Sequence, residues 1–122
     1  MARILIVDDE AQILKMLAFM LRFDGHEPMP APDGLAALKL LAEQPIDLMI
    51  TDLRMAPMGG LDLFRNARAR FPDLPVIILS AFASAETERE ALRFGVFAYL
   101  FKPFKPDELF LTVRRALDAG RR

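Results

Sequence analysis

The stretch ILIVDDE, residues 4–10, joins four apolar residues directly to three acidic ones. A short apolar run bounded by charges is typical of a strand that is covered on both faces of a parallel sheet. Similar runs occur at Leu48–Ile50, Val76–Leu79 and Ala98–Phe101, and a polar or charged residue follows each of them. This repeated junction of an apolar run with a polar side chain predicts both the fold and the site.

Helical patterns separate these runs. Apolar residues between Ile13 and Leu21 recur at the spacing of one helix face, and Gly25 then provides a stop signal. The other predicted helices run from Asp33-Gly34 to about Glu43, over Leu61–Phe71, over Ser84–Phe94 with Ser84 as the N-cap, and onward from Pro106-Asp107. Residues 26–32 should hold the remaining strand. Because the alternate prolines of this segment cannot donate to a sheet ladder, the strand is expected at an edge.

The pattern predicts one domain, residues 1–122, of the α/β class: a doubly wound five-stranded parallel sheet with five helices and right-handed crossovers. The absence of cysteine excludes disulfides, thiol nucleophiles and Cys-ligated zinc. The one histidine, His26, is expected in an exposed loop. The 16 basic and 17 acidic residues form no basic cluster, so direct nucleic-acid binding by this domain is not expected. No apolar run approaches the roughly 20 residues of a membrane span, so we expect a cytoplasmic protein without a membrane partner.

Four strand ends deliver functional side chains to one rim of this sheet. Asp8 and Asp9 follow the first strand, Asp52 the third, Ser80 the fourth and Lys102 the fifth. In open α/β sheets, ligands bind at the carboxyl ends of the strands. Two carboxylates about 4 Å apart repel by on the order of 4 kcal/mol at an effective dielectric of about 20, so such a cluster takes up protons or binds a cation.

Oxygen ligands without histidine or cysteine favour a hard cation, and Mg²⁺ is the natural candidate for phosphate chemistry. Lys102 adds a fixed positive charge and Ser80 a hydroxyl, which suits the charge neutralisation that phosphoryl transfer requires. Asp52 lies in the middle of the predicted site and is the candidate nucleophile toward phosphorus. An Asp-Asp pair after a strand is by itself more often a turn or a helix cap. The joint placement of these residues is what favours a functional site.

With these residues assembled, the chain resembles the receiver domain of two-component response regulators over essentially its whole length. The resemblance lies in ILIVDDE at residues 4–10, DLRM at 52–55, VIILSA at 76–81 and YLFKPF at 99–104. It implies a flavodoxin-like sheet with the strand order 2-1-3-4-5. It also implies a phosphorelay protein, rather than an enzyme, that receives a phosphoryl group on Asp52 from the phosphohistidine of a sensor histidine kinase or phosphotransfer protein.

The same resemblance implies the ligands of the metal. Asp9 and Asp52 would bind Mg²⁺ directly, together with the backbone carbonyl of Arg54, while Asp8 would act largely through water. Arg54 and Phe82 lie two residues beyond Asp52 and Ser80, where the family shapes access of the hydrolytic water, and they are positioned to slow or redirect dephosphorylation.

Ser80 and Lys102 would bind the phosphoryl oxygens, and Lys102-Pro103 matches the cis peptide bond of the family. Tyr99 matches the switch aromatic, which would rotate into the space that the Ser80 hydroxyl vacates when it is drawn toward the phosphoryl group. The loop after Asp52 departs from the family pattern at Ala56-Pro57 and at Gly59, so its path is expected to differ.

The resemblance places an output or dimer surface on the fourth helix, last strand and fifth helix. Phe101, Phe104 and Leu111 are the candidate members of an exposed apolar patch there, for a downstream output domain or protein or for a homodimer. Alternatively, Phe101 and Phe104 complete the core under the fourth helix.

Two other functions compete with this interpretation. A Mg²⁺-dependent phosphatase of the haloacid dehalogenase type also uses an aspartate at a strand end, but it needs a second aspartate where this chain has Arg54. A receiver-like interaction module that is never phosphorylated would typically lack a pocket residue, whereas all five predicted pocket residues are present.

Overall fold

The computed structural model describes residues 2–81 and 84–120. In these residues, the strands are β1 (Arg3–Val7), β2 (Glu27–Ala31), β3 (Leu48–Asp52), β4 (Val76–Ser80) and β5 (Ala98–Phe101). The helices that alternate with them are α1 (Ala11–Phe23), α2 (Gly34–Glu43), α3 (Gly60–Arg70), α4 (Ala85–Phe94) and α5 (Pro106–Gly120). Each predicted helix and strand is therefore present, with ends that differ from the prediction by one or two residues.

The strands form one parallel sheet in the order β2-β1-β3-β4-β5, which confirms the predicted fold class and strand order. Its register brings the strand ends level with one another. Val7 pairs with Thr51, so Asp8 follows β1 at the height of Asp52. Ser80 pairs with Phe101, which places the next residue, Lys102, beside the end of β4. The pairing alone thus collects the predicted site residues at one edge of the sheet.

The proline-bearing strand β2 lies at the edge of the sheet, as predicted. The backbone N–H of Glu27 donates to the carbonyl of Ala2, at 2.8 Å. Because alternate residues of a parallel strand face the same neighbour, the nitrogens of Pro28 and Pro30 face away from β1. The spacing of the prolines therefore removes donors only from the outer side of the edge strand, where no ladder is made.

Apolar cores cover both faces of the sheet, as the nearly continuous apolar runs predicted. Ile4 and Ile6 pack toward α1 and α5, whereas Leu5 and Val7 pack toward α2, α3 and α4. Among the described residues, the structure contains no helix that is long and apolar enough to cross a membrane.

Local signals fix the starts of the helices around the site. The Asp33 carboxylate accepts a hydrogen bond from Ala36 N–H at 2.8 Å at the start of α2. Ser84 caps α4 through Thr87 N–H at 3.3 Å, as predicted. At the start of α3, Gly60 donates to the Leu53 carbonyl at 2.8 Å. A Cβ on Gly60 would lie 2.3 Å from the Asp52 carbonyl oxygen, so glycine permits α3 to begin directly against the end of β3.

His26 lies in a loop between α1 and β2, as expected, but the expectation that it is exposed is wrong, because only 16% of its side chain is exposed. Its Nδ1 accepts a hydrogen bond from Ala2 N–H at 3.4 Å, and its Nε2 lies 3.7 Å from the Asp24 carboxylate. The imidazole therefore connects the turn after α1 to the start of β1, a contact between residues far apart in sequence.

Candidate functional site

The Lys102 ammonium lies at the centre of the site. Its Nζ is 3.3 Å from Asp8 Oδ2 and 3.3 Å from Asp52 Oδ1. Only 1% of the Asp8 side chain, 12% of the Asp52 side chain and 17% of the Lys102 side chain are exposed. Because buried charges are costly unless they are paired, this lysine is what makes the two carboxylates tolerable in the same place.

The two carboxylate oxygens of Asp8 make different contacts. Its Oδ1 accepts a hydrogen bond from Glu10 N–H at 2.9 Å, which shapes the turn between β1 and α1. Its Oδ2 faces Lys102. The turn-forming and functional interpretations of the Asp-Asp pair are therefore compatible, because one oxygen of Asp8 forms the turn and the other contacts Lys102.

Asp52 and Lys102 border an open cleft of about 590 Å³ at the carboxyl end of the sheet. Its lining comprises Asp9, Glu10, Ile13, Asp52, Arg54, Ser80, Ala81 and Lys102. The Ser80 side chain is buried, and its backbone carbonyl accepts a hydrogen bond from Lys102 N–H at 2.8 Å. This bond joins the ends of β4 and β5, so the backbones that carry the hydroxyl and the ammonium are held next to each other.

The electrostatics of the cleft affect Asp52 in particular. Burial raises the pKa of Asp52 above its ordinary value of 3.8, the charge of Lys102 opposes this, and the negative charge of Asp8 raises it further. The net effect is a carboxyl group that is harder to ionise than a carboxyl in water. A cation bound beside Asp52 would favour the ionised form, which is the form that can act as a nucleophile.

The donor set fits a hard divalent cation. Asp8, Asp9 and Glu10 each offer a carboxylate oxygen, and these oxygens all lie within 4.8 Å of one another. The carboxylates that line the cleft offer oxygen ligands, which Mg²⁺ prefers. Glu10 was not among the residues predicted for the metal. Its signal in the sequence was its place as the third consecutive acidic residue.

The loop after Asp52 keeps the side chain of Arg54 exposed at the border of the cleft. Ala56-Pro57 in this loop has a cis peptide bond, as does Lys102-Pro103, which the family resemblance implied. The role of the Arg54 carbonyl as a metal ligand stays a prediction. Phe82, the other residue predicted to influence dephosphorylation, lies outside the described residues.

The predicted switch and output residues do not all lie on one face of the sheet. Tyr99 is buried on the α2–α4 side of the sheet, with its ring centroid 5.2 Å from that of Phe101. Phe101 and Leu111 are exposed. Phe104 is half-buried against the core beside α1 and α5, so it belongs to a different face from Phe101. The structure therefore brings Phe101, but not Phe104, next to the switch aromatic.

An apolar groove of about 440 Å³ adjoins the acidic cleft. The two cavities share Ile13, Ala81 and Lys102 as lining residues. The remaining lining of the groove is Met16, Met20, Pro103, Phe104 and Pro106. A molecule seated in this groove would therefore contact Lys102, whose ammonium lies 3.3 Å from Asp52.

Fold and site together define a small doubly wound α/β domain whose acidic cleft, at the carboxyl ends of the central strands, suits a cation and phosphoryl chemistry. The chain belongs to the response regulator receiver domain family, whose model matches residues 4–114. It is thus a receiver domain of the kind found in two-component response regulators, which favours this interpretation over the phosphatase alternative.

Individual relatives agree with this assignment. The chain is 44% identical over 116 residues to the regulatory protein AtoC of Escherichia coli, an overlap of 95% of this chain and 25% of that protein. It spans about a quarter of the length of the curated relatives it matches.

Solved structures agree as well. A receiver domain protein from Clostridium thermocellum superposes with a TM-score of 0.94 at 32% identity, covering 99% of this chain and 98% of that one. The response regulator TrrA from Thermotoga maritima, solved in complex with Mg²⁺ and BeF, gives a TM-score of 0.87 at 32% identity, covering 95% of this chain and 99% of that one.

Proposed function

We propose that this domain accepts a phosphoryl group on Asp52 from the phosphohistidine of a sensor histidine kinase or phosphotransfer protein, in a Mg²⁺-dependent reaction. The observation that carries the proposal is the Lys102 ammonium, which lies 3.3 Å from both Asp8 and Asp52 at the border of an open cleft. A fixed positive charge at that position is placed to neutralise the negative charge that a phosphoryl group brings.

In the transfer, a carboxylate oxygen of Asp52 forms a bond to phosphorus while the bond from phosphorus to the imidazole nitrogen of the donor breaks. The electron pair of that bond passes to the nitrogen. Lys102 and the Ser80 hydroxyl would bind phosphoryl oxygens from the neighbouring strand ends. The domain takes part in its own phosphorylation and dephosphorylation without turning over a separate substrate, so we do not propose it as an enzyme.

Mg²⁺ would be held by Asp9 and Asp52, with Asp8 acting largely through water and the Arg54 carbonyl as a further ligand. Glu10 lies close enough to Asp8 and Asp9 to add negative charge to this set. When bound, the ion supplies positive charge that neutralises the phosphoryl oxygens.

The apolar groove beside the cleft supports a protein as the phosphoryl donor. A groove with mainly apolar lining, which includes Met16, Met20 and Phe104, can bury an apolar helix face. Because the groove shares Ile13 and Lys102 with the cleft, a helix docked there would bring its phosphohistidine close to Asp52. A small phosphodonor would need no such groove.

The output is proposed to pass through Ser80 and Tyr99 to the surface of α4, β5 and α5. Exposed Phe101 and Leu111 would contact a downstream output domain or protein, or a second copy of the domain. The burial of Tyr99 against the α4 side supports a mechanical link between this aromatic ring and that surface.

The test is to incubate the protein with acetyl phosphate and Mg²⁺ and to measure its intact mass. We expect the mass of one phosphoryl group on the wild type and none on Asp52→Asn. Asp73→Asn, a change of an exposed aspartate outside the cleft, is the matched control and should behave as the wild type. EDTA should abolish the modification. A wild type that gains no phosphoryl group would favour the module that is never phosphorylated, and a modified Asp52→Asn would place the acceptor elsewhere.

A further inference from the structure

Helix α4 buries little of its surface against the rest of the domain. Among its residues, Ala85–Phe94, only Ala91 is buried. The helix ends at Gly95, which has the left-handed φ of 108°. Because α4 buries so little apolar surface, its position depends more strongly on specific contacts, including those at its C-terminal end.

Arg68 of α3 makes one of these contacts. Its Nη2 donates to the Gly95 carbonyl at 3.0 Å. A Cβ on Gly95 would lie 2.6 Å from Arg68 Nη1, so the guanidinium sits directly against the glycine. The guanidinium carbon is also 4.9 Å from the ring centroid of Phe64. The guanidinium stacks on this aromatic ring of α3, as planar cations do on aromatic faces.

Arg65 makes the second contact, one turn earlier on α3. Its guanidinium carbon lies 4.6 Å from the ring centroid of Phe94, the last residue of α4. The two arginines therefore hold the last turn of α4 and the glycine that follows it. We name the contacts of Arg65 and Arg68 with Phe94 and Gly95 the α3 restraint.

We propose that the α3 restraint sets the balance between the resting and switched positions of α4, with Arg68 as the principal positioning residue. The inference rests on the proposed function, in which a signal from Ser80 and Tyr99 reaches the α4 surface. Ala91, the buried residue of α4, belongs to the same apolar cluster as Tyr99. In this proposal, a change at Tyr99 reaches α4 through the shared cluster, while the contacts with Phe94 and Gly95 hold the C-terminal end of the helix.

The restraint stabilises the position of α4 in the unphosphorylated protein. Removal of a charge-assisted hydrogen bond from one of two states shifts their equilibrium toward the other. Without Arg68, a larger fraction of the protein should therefore adopt the switched arrangement before any phosphoryl group is bound, and less ligand should be needed to complete the change.

The experiment is a titration of the full chain with beryllofluoride, a phosphoryl mimic, in the presence of Mg²⁺. The backbone amide resonances of α4 are followed by NMR in the wild type, Arg68→Ala and Arg68→Lys. Arg70→Ala, at an exposed arginine of the same helix, is the matched control. In Arg68→Ala without ligand, the α4 resonances should lie between the two wild-type end points. Its half-saturating beryllofluoride concentration should fall about fivefold, and Arg68→Lys should fall between Arg68→Ala and the wild type.

A merely structural role of Arg68 would lower the thermal stability without moving the midpoint of the titration. An unchanged midpoint in Arg68→Ala, with a normally responsive wild type, contradicts the restraint while leaving the proposed function intact. An equal shift in Arg70→Ala also contradicts it. A wild type that does not respond to beryllofluoride contradicts the proposed function, and the restraint with it.

Discussion

The acidic cleft buries charged side chains, whereas the surface formed by α4, β5 and α5 exposes apolar ones. In the cleft, charged Asp8 is only 1% exposed and Lys102 only 17%. On the surface, apolar Phe101 is 36% exposed and Leu111 46%. Since buried charges are costly and exposed apolar groups gain from burial, a ligand or partner at either place can lower the free energy. The cleft would gain from a bound cation, and the surface would gain from contact with an apolar partner surface.

The largest effect on stability is expected from Lys102→Met, which keeps most of the length of the side chain and removes its charge. Asp8 and Asp52 would then be buried without their cation. Loss of one partner of a buried pair costs about 3–5 kcal/mol, and we expect about 2 kcal/mol here because the cleft is open to water. Urea unfolding in EDTA at neutral pH measures this change.

Lys105→Met is the control for Lys102→Met, since Lys105 is exposed and lies three residues further along the chain. Its free energy of unfolding should stay close to that of the wild type. Mg²⁺ should restore part of the stability that Lys102→Met loses, because the ion replaces the missing positive charge. Equal unfolding curves for Lys102→Met and the wild type would show that the lysine does not compensate the buried carboxylates.

A smaller effect, of opposite sign, is expected from Asp52→Asn. Because the folded state raises the pKa of Asp52, ionisation of this group disfavours folding. That penalty is absent below the ordinary pKa of 3.8, grows as the pH rises through the raised folded pKa, and is fully present above it. At neutral pH without Mg²⁺, Asp52→Asn should therefore have a higher free energy of unfolding than the wild type.

The pH dependence separates this electrostatic effect from a packing effect. Unfolding curves of the wild type and Asp52→Asn should converge as the pH falls toward 3.8, where Asp52 of the wild type is protonated as well. Mg²⁺ should stabilise the wild type more than the variant. A gain that persists unchanged at low pH would assign the effect to something other than the charge of Asp52.

Sequence reasoning succeeded for the cleft because chain order and strand ends determine it. Once β1, β3, β4 and β5 were assigned, the parallel register placed Asp8, Asp52 and Lys102 at one edge without any knowledge of side-chain contacts. Glu10 was not predicted as a metal ligand, although it follows Asp8 and Asp9 in the sequence, because the position of its carboxylate depends on how the turn after β1 folds. That turn is fixed by a hydrogen bond within three residues, which no periodicity reveals.

Contacts between different helices, strands and loops were also not predicted from the sequence. His26 was expected to be exposed because its neighbours, Asp24 and Gly25, signal a turn, yet the turn packs against the start of β1. The contact between Arg68 and Gly95 was equally invisible, since the sequence showed only a helix stop at Gly95. In the apolar patch, the sequence could not separate Phe101 from Phe104, which pack on different faces because the chain turns after β5.

The smallest effect on stability is expected on the surface. Leu111→Ser should change the free energy of unfolding by about 0.5 kcal/mol and Phe101→Ser by about 1 kcal/mol, because both side chains are already partly in water. Their effect should instead appear in self-association or partner binding of the phosphorylated protein, measured by analytical ultracentrifugation and by binding to a candidate output domain. Leu35→Ser, at an exposed leucine of α2, is the control and should alter neither. If both surface variants associate and bind as the wild type does, the exposed apolar area on α4, β5 and α5 has no output role. Of the two regions, only the cleft would then have a function, and that function would rest on its electrostatics.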